Sequence, residues 1–411
     1  MAAGESSRFW PLNYQHKSLL ILGGRPLILH ALEGLKRAGI REAVVIQGSK
    51  KDIERELKNY SAPLRIRYVV QPKPLGTGDA LRRAEGLIKG PFVVIGGHKI
   101  DLDDYLPRLI KKYAGRIVFV GTRTSTPWEF GIAKFKSGKV VEIVENPAKG
   151  KEPSDVKTSE TYVFPKEIFG YLKKVPPKED ALIDAMNLFI KEKRADLVLT
   201  AKSPISLKYP WNALDALDIF LNSKNFKKKI ASSAFIGRNV VIKGRVYIGK
   251  NASVGDNSVL TGPCYIGDGC KIGAANVFRG PVSLEKEVTT GAFFEIKNSI
   301  VQAGTHFHSG YLGDSVIGKD CRFGAGFITA NRRLDRESIK SLVKGKKIDT
   351  GITYLGAIVG EKTSFGIHTG TMPGVLIGSN SLVGPGTLIF DNIKDKFIVF
   401  SESKTIDKPK D

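Results

Sequence analysis

The sequence predicts an α/β domain followed by an all-β, left-handed parallel β-helix. Two patterns and the break between them carry that expectation. Up to about residue 200, short β-branched runs alternate with amphipathic stretches. Between residues 205 and 230 this alternation stops. Beyond it, apolar residues recur at a strict spacing of six, the signature of a short-strand coil.

In the first part, "REAVVIQG", "LRIRYVVQ", "PFVVIGG" and "GRIVFVG" predict buried strands. "LILHALEGLKRAG", "KDIERELKNY" and "GDALRRAEGLI" predict the helices between them. Strand–helix alternation implies a mostly parallel sheet covered by helices on both faces. Ligands of such sheets bind beyond the carboxyl ends of the strands, where glycine-rich turns fall. The opening "MAAGESSRFWPL" is a small-residue loop followed by Ser, Ser and Arg, a composition suited to cradling phosphates. Such a loop hangs from the end of a strand, yet no strand-length run precedes Ala2. We expect the natural chain to begin several residues upstream, because the surrounding strands remain strongly apolar.

"YPWNALDALDIFLNSKNFKKK" predicts a connecting helix that ends in a basic run. Ile236, Ile242, Ile248, Val254, Leu260, Ile266, Ile272 and Phe278 then stand six apart, with Gly237, Gly249, Gly255, Gly267 and Gly273 behind five of them. The period lapses and returns at Val359, Phe365, Ile377, Val383 and Ile389. Strands joined by sharp turns at this spacing coil into a three-sided prism around an apolar column. The expected domains are 1–205 (α/β), 206–230 (linker helix), 231–395 (β-helix) and 396–411 (tail).

The formal charge is +23 over 411 residues, with 64 Lys and Arg. That excess suits anionic small substrates and equally RNA or DNA, so charge alone does not decide between them. No apolar run approaches the roughly 18 residues of a membrane span, and no signal-peptide pattern is present, so a cytoplasmic protein is expected. Cys264, Cys270 and Cys321 lack metal or disulfide spacing and are expected to be apolar fillers.

Several segments together resemble the archaeal-type members of a prokaryotic enzyme family. They are "AAGESSRFWPL", "SLLILGGRPLI" behind Lys17, "QPKPLGTGDAL", "FGIAKFKSGKVVEIVENP", "YPWNALDAL", "FFEIKNSI", "GYLGDSVIG", "FGAGFITAN", "VKGKKIDTG", "LGAIVG" and "MPGVLIG". The family is that of bifunctional sugar-1-phosphate nucleotidylyltransferases/amino-sugar-1-phosphate N-acetyltransferases, which form UDP-N-acetylglucosamine. The resemblance covers nearly the whole chain and implies a Rossmann-like nucleotidyltransferase domain lacking its first strand.

For that domain the resemblance implies UTP and Mg²⁺ as ligands. Ala2, Ala3 and Gly4 would contact the nucleotide through their backbone, Gln71, Gly76 and Thr77 the base, Arg8 and Lys17 the phosphates, and Gly131 and Glu145 the sugar. The sequence departs from the family at both metal carboxylates, where Gly97 and Ser206 stand. Asp101, Asp103 and Asp104 either substitute for them or form a solvated acidic turn. Ser6, Asn146 and Glu160 are further departures. Nucleotidyl transfer is therefore the weaker expectation.

For the β-helix the resemblance implies acetyl transfer from acetyl-CoA to glucosamine-1-phosphate or galactosamine-1-phosphate. His308 would be the base, a role suited to an imidazole whose pKa lies near working pH. Arg279 and Lys297 would hold the sugar phosphate, while Tyr311 and Asn331 contact the sugar. Gly324, Ala325, Gly326 and Ala357 would line the coenzyme's path, with Lys344 or Lys347 near its phosphates. Arg322 and Phe327 replace the family's Asn and Thr beside that path. The basic segment "NRRLDRESIKSLVKGKK" is either a cap over a neighbouring subunit's pocket or a solvated loop. A homotrimer acting on small molecules is expected, with neither membrane nor nucleic acid as partner. The alternative is a non-catalytic assembly or regulatory protein like certain translation-initiation exchange-factor subunits.

Overall fold

A computed structural model describes residues 1–402; the remainder of the expected tail, 403–411, lies outside the described residues. The chain divides into two compact units. The first comprises Met1–Glu5, Gln15–Leu20 and Pro26–Ser206; the second comprises Ser6–Tyr14, Ile21–Arg25 and the chain from Leu207 onward.

The first unit runs α1 (Leu27–Arg37), β1 (Glu42–Gly48), α2 (Asp52–Leu57), β2 (Arg65–Gln71), α3 (Gly76–Ala84), β3 (Phe92–Ile95), α4 (Leu106–Lys112) and β4 (Ile117–Arg123). It continues through β5 (Gly131–Lys136), β6 (Lys139–Glu145), β7 (Val156–Phe164), α5 (Ile168–Lys173), α6 (Ala181–Lys193) and β8 (Ala195–Leu199). The alternating segments read from the sequence are the elements found.

The sheet itself is mixed rather than mostly parallel. Its order is β3-β7-β4-β8-β6-β5, with β1 and β2 pairing separately. β1 runs parallel to β2, and β8 parallel to β4, as strand–helix alternation requires. But β7 inserts antiparallel between β3 and β4, and the β5–β6 hairpin adds a further antiparallel edge. The β7 stretch, "VKTSETYVF", follows a hairpin instead of a crossover helix, so strand–helix alternation could not reveal its direction. Both faces are covered: Ile117 and Phe119 of β4 pack with Phe189 and Met186 of α6, while Val118 and Val120 pack with Leu32 of α1 and Leu106 of α4. This explains why these strands read as continuous apolar runs.

The second unit begins, after its two N-terminal pieces, with helix α7 (Asn212–Asn222), whose Leu214, Leu217 and Leu221 are buried. Beyond it the chain coils as stacked parallel strands, a left-handed β-helix. Early turns repeat every 18 residues, three hexads each: Phe235 pairs with Ser253, which pairs with Lys271. Val254, Leu260, Ile266 and Phe278 are fully buried in the column, as their spacing implies.

The lapse in the six-residue period is not an interruption of the coil. The register slips between Arg279 and Val282, after which Phe294 pairs with Gly310 and Ile300 with Val316, a step of 16 residues. Shorter rungs destroy the sequence period while preserving the ladder. A single insertion then separates Val316 from its partner Ile358, and part of it forms a hairpin of Lys340–Val343 against Lys346–Asp349. Through this region the core is aromatic. Phe307 stacks on Phe323 at 4.4 Å and Phe323 on Phe365 at 4.5 Å between ring centroids. Cys264, Cys270 and Cys321 are buried free thiols whose pKa burial pushes up to about 12, consistent with apolar fillers.

Phe323 is 3% exposed and packs against Phe307, Phe327 and Phe365, so truncating it opens a cavity in the column and removes three ring contacts. Phe323→Ala should destabilise the protein by about 3–5 kcal/mol, read as a lower urea midpoint. A loss under about 1 kcal/mol would show that the ring stack contributes little.

Candidate functional site

The sequence-selected residues of the second unit gather on neighbouring rungs. Arg279 lies directly beside Lys297 in the ladder, and Lys297 beside Gly313. Adjacent strands lie about 4.8 Å apart, so the two cations rise from the same level of the same face. Tyr311, on the strand Gly310–Gly313, pairs in register with Glu295. Gly310 opens that strand at φ +135°, and an added Cβ would sit 2.0 Å from the Phe327 carbonyl oxygen, so only glycine fits.

A carboxylate that sequence reading did not select organises this cluster. Asp314 has a side chain only 3% exposed and accepts hydrogen bonds from Lys297 Nζ at 3.2 Å, Asn298 Nδ2 at 2.7 Å and Asn331 Nδ2 at 2.5 Å. Asn331 Nδ2 also donates to the Tyr311 hydroxyl at 3.1 Å. Burial raises the Tyr311 pKa, and nearby Asp314 adds to that shift. Arg279 donates through Nε to Glu295 at 2.7 Å. Two further side chains join from the insertion: the Tyr354 ring lies 4.4 Å from Lys297 Nζ and 4.8 Å from the Arg332 guanidinium carbon. The Nε of Arg332 is buried and makes no hydrogen bond. The Asp in "GYLGDS" was the available signal for Asp314; nothing local marks Tyr354, which the insertion brings in from a distance.

His308 is exposed on the corner between the strands His306–Phe307 and Gly310–Gly313. Its N–H donates to the Phe323 carbonyl of the next rung. On that rung the same corner is formed by Gly324, Ala325 and Gly326, and the Gly326 N–H donates to the Ser309 carbonyl at 3.1 Å. The imidazole-bearing corner and the small-residue turn are therefore stacked along one edge of the prism. Ala357 is placed otherwise: it is fully buried in the core, and its N–H is taken by Ser315 Oγ. Phe327 is likewise a core residue, whereas Arg322 is exposed and donates to the Gly304 carbonyl. Lys344 donates to Ser7 Oγ at 2.7 Å, and Lys347 lies on the exposed hairpin.

In the first unit, Met1 and Ala2 enter between β1 and β3. Ala2 forms a parallel bridge with Gln47, and Ala3 and exposed Gly4 follow. Gln71 ends β2, buried, and donates to Asp79 at 2.8 Å and to the Gly76 carbonyl at 3.1 Å. Gly76 at φ +88° starts α3 beside exposed Thr77. Gly131 and Glu145 face each other across the β5–β6 hairpin, and burial raises the Glu145 pKa. Half-buried Lys17 lies in this unit, while exposed Arg8 belongs to the other.

The positions where Mg²⁺ would bind do not fit that ion. A Cβ on Gly97 would stand 2.8 Å from Ser18 Oγ, so a larger residue needs the neighbour to shift. The residues that follow are His98 and Lys99, both buried, with Lys99 Nζ donating to the Ile205 carbonyl beside Ser206. The acidic turn does not compensate. Asp101 is buried and occupied by the Tyr105 hydroxyl and the Ile205 N–H, and Asp103 pairs with Arg37. Among the described residues, no cluster of three His, Cys, Asp or Glu could hold a metal. Hard cations need several oxygen ligands, and nitrogen-bearing side chains stand here instead.

Residues 1–212 match the nucleotidyl transferase family, and residues 227–262 match the bacterial transferase hexapeptide repeats. The bifunctional protein GlmU of Methanococcus maripaludis strain C7 is 34% identical over 99% of this chain and 97% of its own length. That of Methanocaldococcus jannaschii is 32% identical over 99% and 98%. A bifunctional sugar-1-phosphate nucleotidylyltransferase/acetyltransferase of Sulfurisphaera tokodaii is 31% identical over 95% and 96%.

The chain belongs to the bifunctional GlmU family.

As a GlmU-family enzyme it pairs a nucleotidyltransferase fold with a hexapeptide β-helix. Among the described residues no helix is long and apolar enough to cross a membrane.

The basic side chains of the first unit make its stability depend on pH. Burial lowers the His16 pKa to about 4, and its Nδ1 accepts the Ser18 N–H. In the unfolded chain His16 takes a proton near pH 6.5, whereas folded His16 stays neutral to about pH 4. Its contribution is therefore complete above pH 6.5 and is lost as pH falls toward 4. His16→Asn keeps an acceptor without a titration, so its urea midpoint should fall less between pH 7 and pH 4.5 than the parent's. Equal slopes would assign the acid sensitivity elsewhere.

Proposed function

We propose that the protein N-acetylates an amino-sugar 1-phosphate, glucosamine-1-phosphate or galactosamine-1-phosphate, with acetyl-CoA as donor, in amino-sugar nucleotide biosynthesis. The observation that carries this reading is the adjacency of Arg279 and Lys297 beside the Tyr311–Asn331–Asp314 network. Two cations at one level suit a terminal phosphate. Arg279 has five N–H donors and can keep Glu295 while gripping a phosphate oxygen. Asp314 holds Lys297 and Asn331 in place, so these groups are set before substrate arrives.

In this reading, His308 takes a proton from the sugar ammonium. The freed nitrogen lone pair attacks the thioester carbonyl, and a tetrahedral oxyanion forms. As the intermediate collapses, the C–S bond breaks, protonated His308 gives its proton to the departing thiolate so that coenzyme A leaves as the thiol, and the nitrogen releases its second proton to water. Gly324, Ala325 and Gly326 on the adjoining corner leave room for the pantetheine arm, with backbone groups as its partners. Ala357 is left out of that path, since it is fully buried with its N–H taken by Ser315 Oγ and its carbonyl by the Val316 N–H. Exposed apolar side chains on the coil, among them Phe293, Ile328 and Ile367, favour assembly as a homotrimer.

The nucleotide-side residues Ala2, Ala3, Gly4, Gln71, Gly76, Thr77, Lys17, Gly131 and Glu145 of the first unit are proposed to bind UTP and sugar phosphate. Turnover there is proposed to be weak, because Gly97 and Ser206 supply no carboxylate.

Purified protein should release free thiol from acetyl-CoA when given either amino-sugar phosphate. His308→Ala should lower kcat by about 10²- to 10⁴-fold with KM little changed. Asp314→Asn should chiefly raise KM for the sugar phosphate, through misplacement of Lys297 and Asn331. Parent-like turnover in His308→Ala overturns the assignment of the base. Thiol release absent with both sugars, together with tight and steeply salt-dependent RNA binding, would favour a regulatory protein instead. Robust, Mg²⁺-dependent UDP-sugar synthesis would contradict the weak-turnover proposal.

A further inference from the structure

Two of the three cations in the β-helix cluster are already neutralised. Arg279 is bonded to Glu295 and Lys297 to Asp314, so these four groups sum to no net charge. A phosphate monoester carries about −1.5 to −2 at pH 7, and holding it calls for an excess of positive charge. Arg332 is the third cation. Among the described residues its side chain has no hydrogen-bond or ion-pair partner. Its contact is with the Tyr354 ring, whose centroid lies 4.8 Å from the guanidinium carbon.

The chain fixes Arg332 at the cluster from both directions. Asn331, the residue before it, reaches Asp314 at 2.5 Å and the Tyr311 hydroxyl at 3.1 Å. The Leu355 N–H donates to the Asn331 carbonyl at 2.9 Å, and the Gly356 N–H to the Asp314 carbonyl at 2.8 Å. These bonds close the insertion at its neck and bring Tyr354 beside Arg332. Lys297 Nζ lies 4.4 Å from the same ring, so Tyr354 joins a cation that is paired to one that is not. Arg332 itself is half-buried, and its Nε is covered by protein without an acceptor. An arginine that merely faced water would have that nitrogen hydrated; here the covered Nε anchors the group and leaves the two terminal nitrogens as donors.

We propose that Arg332 binds the phosphate of the amino-sugar 1-phosphate and supplies the net positive charge of that subsite. The identity of the sugar rests on the acetyl-transfer reading; the capture of a phosphate group does not. The two terminal nitrogens of one guanidinium can donate to two oxygens of one phosphate, a grip that a lysine cannot reproduce. Tyr354 positions the group, because a ring face attracts a cation and keeps it on the side where Lys297 stands.

The test compares the full chain with Arg332→Leu and Arg332→Lys, each checked for folding by its urea midpoint. Thiol release gives kcat and the KM values for glucosamine-1-phosphate and acetyl-CoA. Calorimetry gives Kd for glucosamine-1-phosphate and for inorganic phosphate without turnover. Arg332→Leu should raise KM and Kd for glucosamine-1-phosphate about 10- to 100-fold, with kcat changed far less. Inorganic phosphate should weaken by a similar factor, the KM for acetyl-CoA should stay near the parent's, and Arg332→Lys should recover part of the loss. Parent-like constants in Arg332→Leu overturn the proposal. So does a rise confined to the KM for acetyl-CoA, which would assign the guanidinium to the coenzyme's phosphates. If the parent binds glucosamine-1-phosphate but releases no thiol, the acetyl-transfer reading fails and the calorimetric comparison still decides the role of Arg332. A parent that binds neither glucosamine-1-phosphate nor inorganic phosphate overturns both.

Discussion

Parallel register holds the second unit together and places its chemistry. In a coil of this kind each strand pairs with the strand one turn on, so the turn length decides which side chains become neighbours. Eighteen-residue turns put like hexad positions above one another. The change to 16 residues after Arg279 keeps the ladder closed and alters what emerges at the corner. Arg279, Lys297 and Tyr311 come from three successive passes of the chain and meet only because register is kept across that change. The Phe307–Phe323–Phe365 stack fills the column at the same height, so packing and site geometry are set by one feature.

Within that frame, the electrostatics are arranged around carboxylates that the sequence alone did not single out. Asp314 is buried and satisfied by three donors, which fixes Lys297 and Asn331 at the cost of neutralising part of their charge. Glu295 does the same for Arg279. Arg332, over the Tyr354 ring with its Nε unbonded, adds positive charge beside the pair. The first unit shows the reverse. Where a divalent cation would need carboxylates, buried His98 and Lys99 stand behind Gly97, and their burial disfavours their charged forms.

Much of this was legible in the sequence, for identifiable reasons. The hexad column from Ile248 to Phe278 survives in the linear order because equal turns write a period into the chain. The buried strands of the first unit were plain because helices cover them on both sides. The direction of β7 was not, since antiparallel insertion leaves no local pattern. The coil's continuity through Phe294 and Phe307 was hidden because a 16-residue turn breaks the six-residue count. Tyr354 reaches Lys297 only through a folded insertion, and Ala357 turned inward although its motif suggested the coenzyme path. Long-range register, rather than residue type, accounts for each of these.

The central claim is that the corner bearing His308 and the neighbouring cations form one acetyl-transfer site. A crystal structure with coenzyme A and an amino-sugar 1-phosphate tests it most directly. The account predicts the phosphate on Arg279 and Lys297, and an imidazole nitrogen of His308 within about 2.6–3.2 Å of the sugar nitrogen, or one water away. A sugar seated away from Arg279 and Lys297, or a His308 ring turned from it with no water between, would contradict the account.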